Sequence, residues 1–268
     1  VKKIVIGIAC AALAQATWAA NLASDNAADS AYSGGWTNGS NGGFGFGPWQ
    51  LSTSGSSAGF FLGSSTQNWD SADDGANVGG LPNDGDIDTD SLAWGMFAGF
   101  GGNTATAIRP FTGGALSIGQ TFSFDFDTGD ISFAGTMTFS LLDALNNPVF
   151  TITSIPFAFY DYTDSGGTSS SGVGFGSEGA TLSFTLTGAT AYSATLTRRD
   201  GASASWAGTV AAAPESFRAQ GVDVGDGTPF YFYVNNLSIV PEPSTLALGA
   251  AGLLGLALRA IRIRRRLV

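Results

Sequence analysis

The sequence predicts an all-β protein: an antiparallel β-sandwich, flanked by a short apolar segment at each end. Three observations carry this. The 268 residues include 39 glycines, while charged residues make up only 12%, a mix that favours strands and turns over helices. Hydrophobic residues reach 44%, too many for a disordered polar chain. Between the ends, apolar and polar residues alternate with period two, and Gly-rich turns separate the runs.

The first element is a leader. Lys2 and Lys3 precede an apolar run from Ile4 to Leu13, followed by small residues, the three-part layout of a secretory signal peptide over residues 1–19. The run is too short to span a bilayer core of roughly 30 Å. Cleavage is expected after Ala19, with Ala16 as the alternative small-x-small site. Lipidation at Cys10 through Gly7-Ile8-Ala9-Cys10 is the weaker reading, since Gly7 replaces the usual leucine. Removal of the leader leaves a body with neither cysteine nor lysine.

Residues 20–31 read as an N-terminal extension, and 32–240 as one sandwich domain. The weaker strand candidates come first: Gly43 to Trp49, Ala58 to Gly63, Leu92 to Ala98 and Thr104 to Phe111. Gln120 to Asp127 is the clearest, with Phe122, Phe124 and Phe126 on one face and polar residues on the other. Thr136 to Leu142 and Val149 to Phe159 follow. Gly166 to Gly176 is low in complexity and reads as a mobile loop. Ala180 to Thr187, Ala191 to Thr197 and Phe230 to Val240 complete about ten strands. Strands at this spacing suggest two packed sheets.

The last element, residues 241–268, has three parts. Pro241 and Pro243 hold an extended segment around Glu242. Leu246 to Leu258 forms an apolar run preceded by Ser244 and Thr245 as helix N-cap candidates. Arg259, Arg262, Arg264, Arg265 and Arg266 close it and should keep the tail on the cytoplasmic side of the membrane. A helix over that run covers roughly 20 Å, a marginal transmembrane span.

This tail resembles the PEP-CTERM sorting signal in all three of its parts. The resemblance implies recognition of Pro241-Glu242-Pro243 by an exosortase. It also implies passage through the inner membrane to the surface or extracellular matrix of a Gram-negative, exopolysaccharide-producing bacterium. A plain C-terminal membrane anchor is the alternative. The body is similar to the jelly-roll sandwiches of the concanavalin A-like lectin and glucanase superfamily. It is also similar to the bodies of other PEP-CTERM proteins at Phe44 to Trp49, Gly101 to Gly113 and Leu182 to Gly188.

Composition narrows the chemistry. All but Glu242 of the 21 acidic residues lie between Asp25 and Asp226, against Arg109, Arg198, Arg199 and Arg218. So acidic a body would repel phosphate backbones, and nucleic acid is not an expected partner. The absence of histidine, with cysteine and lysine confined to the leader, removes the Ser-His-Asp, Cys-His and Schiff-base routes and a His-based zinc site. A glycoside hydrolase or lyase would have to use Glu178 and Glu215, which do not sit in the E-x-D-x-x-E type pattern of the related glucanases.

A non-enzymatic protein is therefore expected, associated with exopolysaccharide or biofilm matrix. A calcium-dependent, lectin-like glycan-binding module is the alternative. Asp84, Asp86, Asp88 and Asp90, at alternate positions, are the candidate calcium ligands, although Thr89 departs from the EF-hand pattern. A solvated acidic loop is the favoured reading of the strip. Among Trp36, Trp49, Trp69, Trp94 and Trp206, Trp94 reads as core. Trp69, among polar loop residues, is the candidate sugar-stacking platform. Asn235 and Asn236 could bind a sugar hydroxyl or cap a bulge.

Overall fold

A computed structural model describes residues 21–67, 87–154, 158–176 and 179–241. The predicted leader, Trp69, Asp84, Asp86, Glu178 and the tail from Glu242 onward lie outside the described residues. Among the described residues no helix is long and apolar enough to cross a membrane.

The described residues form fifteen strands: β1 (Ala23–Asp25), β2 (Gln50–Ser54), β3 (Ala58–Gly63), β4 (Ala93–Ala98), β5 (Thr104–Pro110), β6 (Gln120–Thr128), β7 (Thr136–Leu142) and β8 (Pro148–Ser154), then β9 (Phe159–Asp164), β10 (Gly167–Gly174), β11 (Ala180–Leu186), β12 (Ala191–Arg198), β13 (Ser203–Thr209), β14 (Ser216–Val222) and β15 (Phe232–Pro241). One sheet runs β13-β12-β11-β6-β15-β4-β3, with β1 also paired to β15; the other runs β10-β9-β8-β7-β14-β5-β2. The named strand registers are antiparallel. The two orders match position by position, so that β6 and β7, β15 and β14, β4 and β5, and β3 and β2 occupy corresponding places. This winding of consecutive strands across two sheets is consistent with a jelly-roll.

The period-two faces meet between the sheets. Phe124 on β6 packs against Phe217 on β14 at 4.6 Å between ring centroids, and Phe126 against Phe139 on β7 at the same distance. Phe150 on β8 meets Phe184 on β11 at 5.1 Å. Tilted and edge-on pairs of this kind add to the area they bury. Trp36, Trp49 and Trp94 are core residues packed against one another.

Four expectations need correction. The domain begins at Leu22, not Tyr32. Residues Ala23–Asp25 pair with Leu237–Ile239, and Ser30–Tyr32 forms a 3-10 turn, so the supposed extension is part of the fold. Gly43 to Trp49 is not a strand. It makes single bridges through Phe44 and Phe46, because Gly43 and Gly45 take positive φ where a Cβ would strike the backbone of residues 22–25. Gly166 to Gly176 is not a loop throughout. It contains β10, an edge strand that buries Ser171 and Val173. Finally, Val149 to Phe159 is not one strand: β8 ends at Ser154, and β9 starts at Phe159.

Candidate functional site

The sandwich hands over to the tail at the middle of a sheet. β15 lies between β6 and β4, and its last residue is Pro241. Its final paired stretch is held by β1, and Leu22 N–H donates to the Ile239 carbonyl at 2.7 Å. Both ends of the domain therefore meet.

Near this junction a buried network fastens the first strand. Asp25 and Arg109 form an ion pair, and Tyr32 donates its hydroxyl proton to Asp25 Oδ2 at 2.5 Å. Arg109 Nη2 also donates to the Gly42 carbonyl at 2.9 Å, while its guanidinium faces the Trp49 ring at 5.2 Å. Burial pushes the Asp25 carboxyl up and the Arg109 guanidinium down from their ordinary pKa ranges, outweighing their mutual attraction. The network is a structural lock, because all three side chains are enclosed.

Of the aspartate strip, Asp88 and Asp90 are described. Asp88 Oδ1 accepts from Ser65 N–H at 2.8 Å, and Thr89 donates to Asn236 Oδ1. Asp90 is exposed, with a positive φ at the turn that brings Thr89 to Leu92. Around Asp88 and Asp90 the chain is therefore a turn docked on the sheet. No three potential metal ligands converge among the described residues.

The sugar-hydroxyl reading of Asn235 is corrected. The residue is fully buried: its Oδ1 accepts from Ala27 N–H, and its Nδ2 donates to the Ile87 and Leu92 carbonyls, each at 2.9 Å. Asn236 takes a positive φ and donates to Asp125 Oδ2 at 2.9 Å. Both residues fasten β15 to its neighbours. Glu215 lies just before β14 and engages Leu142 and Phe111 through its backbone.

The structure instead exposes an aromatic ledge that the sequence reading missed. On the outer face of the first sheet, Phe61 stacks obliquely with Tyr231 at 4.9 Å, and Phe97 lies 5.9 Å from Tyr231. Gly95 and Gly59 make room for these rings: a Cβ on Gly95 would lie 2.4 Å from Phe61 Cζ, and one on Gly59 2.6 Å from Phe97 Cε1. Separately, Phe230 and Phe100 meet edge to face at 6.4 Å and line a cleft of about 440 Å³. Phe133, 92% exposed, borders that cleft beside Asp130 and Ile131. Aromatic faces next to carboxylates suit a ligand with one apolar and one hydroxylated side. The signal was present in AGFFLG and AWGMFA, where glycine interrupts an apolar strand.

Elsewhere on the outer faces, neutral polar side chains line up across strands. Ser123, Ser183, Thr195 and Ser205 form one register row across four strands of the first sheet. On the second sheet, Ser52, Thr106, Gln220, Thr138 and Thr153 form another.

Comparison with family models places a match on the tail alone, at residues 240–265, to the PEP-CTERM protein-sorting motif. The chain carries a PEP-CTERM sorting motif. The match starts at Val240, so the PEP-CTERM segment begins on the last two residues of β15. No curated protein matches the chain by sequence. Among solved structures, a sialidase is 11% identical with a TM-score of 0.39, over 56% of this chain and 15% of that one. A carbohydrate esterase from Shiga toxin-encoding bacteriophage phi24B is 14% identical with a TM-score of 0.40, over 84% and 99%. A lectin from Bauhinia forficata in complex with GalNAc is 10% identical with a TM-score of 0.33, over 51% and 80%. Likenesses of this degree assign no ligand or activity to the PEP-CTERM chain.

Proposed function

We propose that this chain is an exported, non-enzymatic surface or matrix protein. Its leader is removed after Ala19, and an exosortase processes the tail at Pro241-Glu242-Pro243. Before processing, Leu246 to Leu258 holds the chain in the inner membrane, with Arg259, Arg262, Arg264, Arg265 and Arg266 on the cytoplasmic side. The freed sandwich then associates with the cell's exopolysaccharide.

The observation that carries this reading is the junction: the sorting motif starts where β15 ends, and β15 is already paired up to Ile239 by the first strand. Cutting beyond Pro241 would leave those pairings whole. The aromatic ledge and the hydroxyl rows support polysaccharide as the partner. The lack of histidine throughout, and of cysteine and lysine beyond the leader, supports a role without catalysis.

Matrix depolymerisation tests the association. In the native host, a glycanase that dissolves the exopolysaccharide is expected to move most of the protein from washed cells into the supernatant. Retention on cells stripped of polysaccharide would contradict the reading.

A further inference from the structure

The four arginines of the body differ in one respect. Arg109 pairs with Asp25, Arg198 with Asp200 and Arg199 with Asp125. Arg218 has no carboxylate partner among the described residues. It stands midway along β14, between Ile108 of β5 and Ser140 of β7, and its side chain emerges on the outer face of the second sheet. Its one hydrogen bond runs from Nη2 to Ser140 Oγ at 3.3 Å. Nε is buried without an acceptor, whereas Nη1 makes no hydrogen bond and is not enclosed.

Two further buried atoms nearby lack partners: Ser216 Oγ, two residues along β14, and Thr138 Oγ1 on β7. The remaining neighbours are neutral. Gln220 donates to Thr106, and Ser140 is bonded to Thr151. Among the described strand residues of this face the acidic one is Asp161, which belongs to β9, and β8 and β7 separate it from β14. Burial lowers the guanidinium's pKa with nothing opposing it. A half-buried cation whose Nε is buried without an acceptor is costly in the free protein and is relieved by an anion. The planar fork of arginine matches a carboxylate through two parallel N–H bonds.

We propose that Arg218 is an anion subsite on the outer face of the second sheet that takes the carboxylate of an acidic sugar in a polysaccharide. This deepens, and rests on, the reading of the protein as polysaccharide-associated. The half-buried outward side chains of Thr106, Gln220 and Thr153 take the hydroxyls of the same chain. The acidic loops disfavour a polyanion at long range, so the contact is short-range and is measured near physiological ionic strength.

The full chain, in mild detergent, is titrated with polygalacturonate, its methyl ester, dextran and dextran sulfate. The expected result is at least tenfold tighter binding of polygalacturonate than of the ester, a preference abolished by Arg218→Gln and partly kept by Arg218→Lys. Without polymer, Arg218→Gln is expected to melt at the same temperature or higher, because an under-satisfied cation has gone. Equal affinity for acid and ester, an unchanged preference in Arg218→Gln, or a preference for dextran sulfate alone would overturn the carboxylate subsite. A lowered melting point in Arg218→Gln would overturn it too, by making the arginine structural. Binding of the ester or dextran would at the same time leave the polysaccharide reading standing, whereas failure to bind any of the four would overturn both.

Discussion

Replacing Asp25 by alanine is expected to cost about 3–5 kcal/mol of folding stability, the usual penalty for breaking a buried ion pair from one side. The reason is Arg109. Its guanidinium lies inside the sandwich between Trp49 and Phe46, and the substitution removes its counter-charge without giving it access to water. Tyr32 loses its acceptor in the same step, although it still accepts from Gly42 N–H. The apolar double variant Asp25→Leu with Arg109→Met is expected to recover most of the loss, since burial penalises both charges. Urea denaturation of the single and double variants measures this. A loss below about 1 kcal/mol in Asp25→Ala, the range of exposed pairs, would mean the lock is open to solvent.

Asn235→Ala is expected to cost about 2–4 kcal/mol. Ala27 N–H loses its acceptor, at about 1–3 kcal/mol for one buried orphan, and the vacated space adds a cavity penalty. The Ile87 carbonyl keeps only the longer 3.3 Å bond from Asn236, whereas the Leu92 carbonyl keeps Thr89 N–H. The effect should appear in the melting temperature and not in polysaccharide affinity measured on the folded protein. Weakened binding with unchanged stability would reinstate Asn235 as a ligand contact.

The strands legible in the sequence were those that place large side chains on one face. β6, β7 and β11 repeat Phe, Leu or Met at every second position, β12 sets Tyr192 and Leu196 on either side of Ala194, and their extents came within about a residue of expectation. β10, β13 and β14 were missed because small residues fill most of their inward positions. β14 turns Ala219 and Gly221 inward, and a Cβ on Gly221 would lie 2.6 Å from Phe232 Cε1, so the ring from β15 fills the space that a large side chain would otherwise mark. β13 and β10 are edge strands of Ser, Gly, Thr and Ala around a single large or apolar residue each, Trp206 and Val173, and their pairing comes from one neighbour, which leaves little hydrophobic periodicity. β1 is only three residues long and becomes a strand because β15 offers it an edge.

Functional residues divide the same way. The tail was legible because its three parts are local in sequence. The ledge and Arg218 were not, because each depends on register: Phe61, Phe97 and Tyr231 come from three separate elements, and Arg218 is distinguished by the absence of a neighbouring carboxylate, which only the sheet reveals.

Intact-mass analysis of the protein from its native host, separated into membrane, surface and medium fractions, tests the central claim most directly. The account predicts a surface or medium form that begins near Ala20 and ends between Pro241 and Pro243, with any longer, tail-bearing form confined to the inner membrane. A surface form that still ends at Val268 would contradict exosortase processing and make the tail an ordinary anchor.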